Sequence, residues 1–141
     1  MPSYPKVAES HQCHQDPFRV SGEHPLSTLV VLQGERGGYL QLAPAAPVTS
    51  YTDAPPELFL AAKAWASFLE RECPDIARVY WLTFSEVVPH LHIHLYPRYG
   101  TDTLTGTALF DARHTSAQPS WTNLQQQGLS AWSLQWGVTL L

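Results

Sequence analysis

The stretch PHLHIHLYPR, residues 89–98, constrains the fold more than any other part of this chain. Along an extended strand successive side chains point to opposite faces, so residues two apart share a face. His90, His92 and His94 therefore stand together, while Leu91, Ile93 and Leu95 point the other way, into a core. The alternation argues for the strand itself, and it leaves the imidazoles on a face that is not the main hydrophobic one.

Other elements can be placed around that strand. TLVVL (28–32) is a short run of β-formers, QGERGG (33–38) a turn and YLQLAP (39–44) an alternating strand, which together read as a hairpin. A loop with Pro44, Pro47, Pro55 and Pro56 leads into a helix over about 56–72. Pro56 suits its first position, where a missing N–H costs no hydrogen bond. Leu58, Ala61, Ala62, Trp65 and Leu69 share one face of it, and Glu57, Lys63, Ser67 and Glu70 lie largely elsewhere. Cys73-Pro74-Asp75 ends the helix, ARVYWLTF (77–84) is a strand, and the histidine strand follows after a tight connection. GTALF (106–110) reads as a short strand and 114–123 as a loop.

The ends are less regular. Residues 1–27, broken by Pro2, Pro5, Pro17 and Pro25, are expected to wrap the domain. Residues 111–141 form a C-terminal extension in which 124–141 shows no clean period. Its Leu124, Leu129, Trp132, Leu134, Trp136, Leu140 and Leu141 carry more apolar surface than a free tail should expose. That segment is expected to pack on the domain or across a dimer interface. The whole, 1–141, reads as one α+β domain without repeats.

Composition excludes several function classes. A net charge of −4, with Lys6 and Lys63 the only lysines, gives no basic surface for a nucleic-acid backbone. No stretch approaches the roughly 18–20 apolar residues of a membrane span. MPSYPKVAES has no apolar core of a secretory signal, and Cys13 and Cys73 are too few for a disulfide framework. A reduced, cytoplasmic setting is the expectation.

Three imidazoles on one face suit two chemistries. A metal is one, since neutral imidazole is the commonest zinc ligand. Yet the outer pair would lie about 13 Å apart along a strand, against Zn–N bonds of about 2.1 Å. A metal would need two of the triad plus His24, His114 or Glu86. Phosphate chemistry is the other. Neighbouring imidazoles about 6.6 Å apart can divide nucleophilic attack and proton donation around one phosphate.

The motif VPHLHIHLYPR (88–98) resembles the signature of the histidine-triad (HIT) family, H-x-H-x-H with aliphatic x followed by two apolar residues. The order of hairpin, long helix, strand and triad strand is also similar, over roughly 28–98. The resemblance implies an α+β fold with an antiparallel sheet and one long helix between hairpin and triad strand, often dimeric. It implies cofactor-free nucleotidyl chemistry at an α-phosphate, in dinucleoside polyphosphates or nucleoside phosphoramidates. Carried over, His92 is the nucleophile, His94 assists at the leaving-group side, and His90 belongs to the network that orients His92. Thr83, Ser85 and Glu86 fall where the family places phosphate and leaving-group contacts. Arg98, and with it Arg36, is a candidate for substrate phosphate.

The chain also departs from the family pattern. Gly38-Tyr39 stands where relatives carry glycine-histidine, so Tyr39 replaces a fourth histidine that partners the first of the triad. A tyrosine there is expected to support His90 in part, through one hydrogen bond. None of Leu32, Gln33 and Gly34 is an acid that could hold a ribose, which implies weak selectivity between bases. Some relatives bind structural zinc near the N-terminus through C-x-x-C. Here HQCHQ (11–15) offers His11, Cys13 and His14, with Asp16 in the second cysteine's place. Trp132 and Trp136 are expected in the core or a dimer contact rather than as base-stacking platforms. A nucleotide-binding module with little turnover, and a metal-dependent enzyme using two triad histidines, are the rival expectations.

Overall fold

A computed structural model of the chain describes residues 16–115 and 117–141. Strands β1 (Leu29–Gln33) and β2 (Leu40–Pro44) form the expected antiparallel hairpin, with Leu29 opposite Pro44 and Gln33 opposite Leu40. Helix α1 (Pro56–Glu72) follows, with proline in its first turn and Cys73 donating its backbone N–H to Leu69 at the end. Then come β3 (Ile76–Leu82), β4 (Ile93–Tyr99), α2 (Gly106–Asp111), α3 (Asn123–Trp136) and β5 (Val138–Leu140). The strands make one five-stranded sheet in the order β3-β4-β2-β1-β5.

The sheet is mixed, not wholly antiparallel: β5 pairs with β1 in parallel, Leu29 beside Val138. The cause is α3, which returns the chain across the sheet so that the last residues reach the free edge of β1. The second correction is GTALF, a turn of helix rather than a strand. Both edges of β4 are already paired, with β2 and β3, so no ladder is open to it there. A short apolar run cannot be told from a helical one by pattern alone.

One sheet face carries the core. Leu29, Val31, Leu40, Leu42, Ile93 and Leu95 pack there against Leu58, Ala61, Trp65 and Leu69 of α1 and Leu129 and Trp132 of α3. Each fully buried leucine contributes roughly 1.5–3 kcal/mol. The C-terminal segment packs on the domain through Leu129, Trp132 and Trp136, the Trp132 indole donating to the Ala61 carbonyl at 2.8 Å, whereas Leu124, Leu134, Leu140 and Leu141 stay exposed, against expectation. A capping box between Thr122 and Gln125 starts α3, and Gly137, at φ 62°, ends it in the left-handed region. Among the described residues no helix is long and apolar enough to cross a membrane.

The opposite sheet face is the histidine face. Phe18, Val30, Ala43 and Ala45 cluster at one end of it, and Tyr39, Tyr96 and Leu109 at the other.

Candidate active site

The ladder of β4 begins at Ile93, so His90 and His92 precede it rather than lying within it. Their alternation survives because Leu91 is anchored separately. It is buried in the core, and its N–H donates to the Val48 carbonyl at 2.6 Å. Ser85 turns the chain at φ 52°, and its hydroxyl accepts from the His92 N–H at 3.4 Å. The three imidazoles accordingly line up, with the rings of His92 and His94 5.0 Å apart, centre to centre.

Each ring is held differently. His90 is buried between two oxygen acceptors, Asp16 Oδ2 at 2.7 Å from Nδ1 and the Pro44 carbonyl at 2.6 Å from Nε2. Both contacts are hydrogen bonds when each nitrogen carries a proton. The other Asp16 oxygen accepts from the Phe18 N–H at 2.9 Å, which fixes the carboxylate in place. His92 Nδ1–H donates to the His90 carbonyl at 2.8 Å. Its proton is thereby assigned to Nδ1, leaving the lone pair on Nε2. His94 Nδ1 lies 2.7 Å from the Tyr39 hydroxyl. Burial pushes the Tyr39 phenol above its usual range, so it stays protonated and donates. His94 then carries its own proton on Nε2.

Tyr39 therefore serves His94 and not His90. Sheet register decides this: Leu40 pairs with Leu95 and Gln41 with His94, which sets Tyr39 beside the His94 end. Gly34 makes room for it, because a Cβ there would overlap the Tyr39 ring. Asp16 takes the place at His90 that the sequence reading gave to Tyr39.

Electrostatics favour neutral rings at the working end. Burial lowers His92 below the ordinary histidine range, and the nearby His90 charge adds to this, outweighing the opposite pull of the His90 carbonyl and Asp16. For His94, burial first and then the charges of His92 and Arg113 push the value down to about 4. Phe18 stacks on His92 with ring centres 4.8 Å apart, yet His92 keeps 9% of its surface exposed. Among the described residues, the buried side-chain polar atoms without a partner are Thr83 Oγ1 and Trp136 Nε1. Among the described residues neither Nε2 of His92 nor Nε2 of His94 has a hydrogen-bond partner, and neither atom is completely buried.

Other expected site residues divide into near and far. Thr83 and Ser85 are half-buried in the connection before the triad, and Glu86 is exposed there. Arg98 is on β4 opposite Arg78, four residues beyond His94. That separation is about 13 Å along a strand, so Arg98 is not brought to the triad. Arg36 is spent elsewhere: its guanidinium grips both Asp102 carboxylate oxygens at 2.8 and 3.0 Å and Gln118 at 2.7 Å. Trp132 is a core residue and Trp136 packs against the same cluster. His24 and His114 line different cavities, and no group of three His, Cys, Asp or Glu side chains among the described residues is arranged to hold a metal. His11, Cys13 and His14 lie outside the described residues.

Two cavities flank the triad. One of about 840 Å³ runs past Asp16, His24, Ala45 and Pro89 to His90. The other, about 240 Å³, is bounded by Tyr39, His94, Arg113 and His114. Asp16, Phe18 and Arg113 are site residues that the sequence reading missed. Only Asp16 had a local signal, since Asp-Pro-Phe suits a turn in which the carboxylate binds the N–H two residues on. The chain matches no protein-family model and no curated protein sequence.

Proposed function

We propose that this chain is a HIT-type nucleotidyl hydrolase or transferase that acts at an α-phosphate through a nucleotidyl-histidine on His92. One observation carries the reading: His92 has Nδ1–H tied to the His90 carbonyl and Nε2 free, beside a second neutral imidazole. An imidazole so arranged is a nucleophile at neutral pH. Nε2 of His92 attacks phosphorus, the bond to the leaving group breaks, and the leaving atom takes the electron pair. Nε2–H of His94 faces that side and offers it a hydrogen bond. Water then attacks the nucleotidyl-His92, releasing a nucleoside monophosphate and a proton and restoring the ring.

Phe18 stacked over His92 favours a second reading, a nucleotide-binding module with little turnover. Adenosine phosphoramidate and diadenosine tetraphosphate, assayed side by side, separate the two, because the enzyme releases AMP from at least one of them and the module only binds. In the enzyme, His92→Ala abolishes release, by several powers of ten, while the circular dichroism spectrum stays native. Substantial turnover by folded His92→Ala protein would rule the mechanism out.

A further inference from the structure

The smaller cavity differs from the rest of the site in carrying a cation that no carboxylate among the described residues neutralises. Arg113 leans over Phe110, its guanidinium carbon 4.0 Å from the ring centre, and donates to the Phe110 carbonyl at 2.9 Å. Phe110 in turn meets His94 edge to face, with ring centres 5.0 Å apart. Arg113 is thus fixed on the same wall as His94. Arg36 borders the same cavity, but its charge is matched by Asp102. Among the described residues no carboxylate lies within ion-pair distance of Arg113, although Glu35 stands exposed at the cavity's margin.

We infer that this cavity is a subsite for a phosphate-terminated leaving group, with Arg113 as its cation, so that the substrate is a nucleoside polyphosphate rather than an amine phosphoramidate. The inference rests on the nucleotidyl-transfer reading above and narrows it. At about 240 Å³ the space is smaller than the roughly 300–1,000 Å³ of drug-sized sites. It accommodates a phosphoryl group, and a second nucleoside extends outward past His114. Guanidinium matches phosphate oxygens in shape and charge.

Bond-breaking points the same way. When His92 attacks an α-phosphorus in a phosphoanhydride, the P–O bond breaks and its electron pair stays on the bridging oxygen. That group departs as a phosphate anion and needs no proton. An amine needs one, and His94, pushed down to about 4, holds almost none to give at neutral pH. Arg113 and the His94 Nε2–H supply what an anion requires, which is positive charge and a hydrogen bond.

The test measures kcat/KM for diadenosine tetraphosphate and for adenosine phosphoramidate in native protein, Arg113→Gln and Arg113→Lys. The ratio of the two values should fall about 10- to 100-fold in Arg113→Gln, as expected for losing a hydrogen bond to a charged group. It should stay within about threefold in Arg113→Lys, which keeps the charge. An unchanged ratio in Arg113→Gln overturns the subsite. Titration calorimetry with inorganic pyrophosphate decides the matter independently of turnover. If native protein turns over neither substrate yet binds pyrophosphate, and Arg113→Gln weakens that binding at least tenfold, the subsite stands and the catalytic reading fails. Undetectable pyrophosphate binding, or equal binding in both proteins, overturns the subsite.

Discussion

His90 and His94 are the same residue type four positions apart on one chain face, and the fold treats them in opposite ways. At the His90 end both ring nitrogens are occupied, one by Asp16 and one by the Pro44 carbonyl. At the His94 end one nitrogen accepts from Tyr39 and the other remains open. A ring with two fixed acceptors is a strut: it cannot turn toward a substrate without abandoning buried partners, each costing about 1–3 kcal/mol. A ring with one fixed partner is oriented and still has a hydrogen bond to give. The difference is made by segments remote in sequence, residue 16 in one case and residue 39 in the other.

That contrast can be broken from either side. The largest effect belongs to His94→Ala, which should lower kcat by roughly 10²- to 10³-fold, the usual span for losing one hydrogen-bond donor to charge developing at the leaving atom. Steady-state AMP release checks it, and a loss below about threefold would place His94 outside the chemistry.

Asp16→Asn comes next, and its signature should be different. It leaves the triad complete but weakens the strut, so thermal or urea unfolding should show a loss of about 1–3 kcal/mol. Turnover should fall less than in His94→Ala. An Asp16→Asn protein as stable as the native one would mean that His90 is held by the Pro44 carbonyl alone.

The smallest effect is in pH dependence. In the proposed mechanism His92 attacks only when neutral, and its lowered value keeps it neutral further into acid than an ordinary histidine. The half-maximal point of kcat/KM on the acid side should therefore lie below about 6.5, the ordinary histidine value. A half-maximal point above 6.5 would contradict a buried, neutral nucleophile.

Much of this arrangement was legible in the sequence. Strict alternation over 90–95 specified which residues face the core, and Leu91, Ile93 and Leu95 do so. The face of α1 through Leu58, Trp65 and Leu69 was equally plain, because a 3.6-residue period and a proline at the start leave little choice. What could not be read was pairing over distance. Nothing near Asp16 indicates that it meets His90, and Arg113 gains meaning only when α2 lays Phe110 against His94. The parallel strand β5 was hidden likewise, since three residues carry no period. The capping residues Thr122 and Gln125, with Gly137, did mark the helix before it. Tyr39 stands out in the sequence beside Gly38, but which histidine it meets depends on register, which the hairpin turn sets.

The most direct measurement is a search for the covalent intermediate. Native protein is mixed with adenosine phosphoramidate or diadenosine tetraphosphate, quenched within one turnover and examined by intact-mass and peptide mass spectrometry. The account predicts one adenylate per chain, attached to His92 through an acid-labile P–N bond and absent from His92→Ala. Turnover with no adduct at any quench time, or an adduct on His94 or His90 instead, would contradict it.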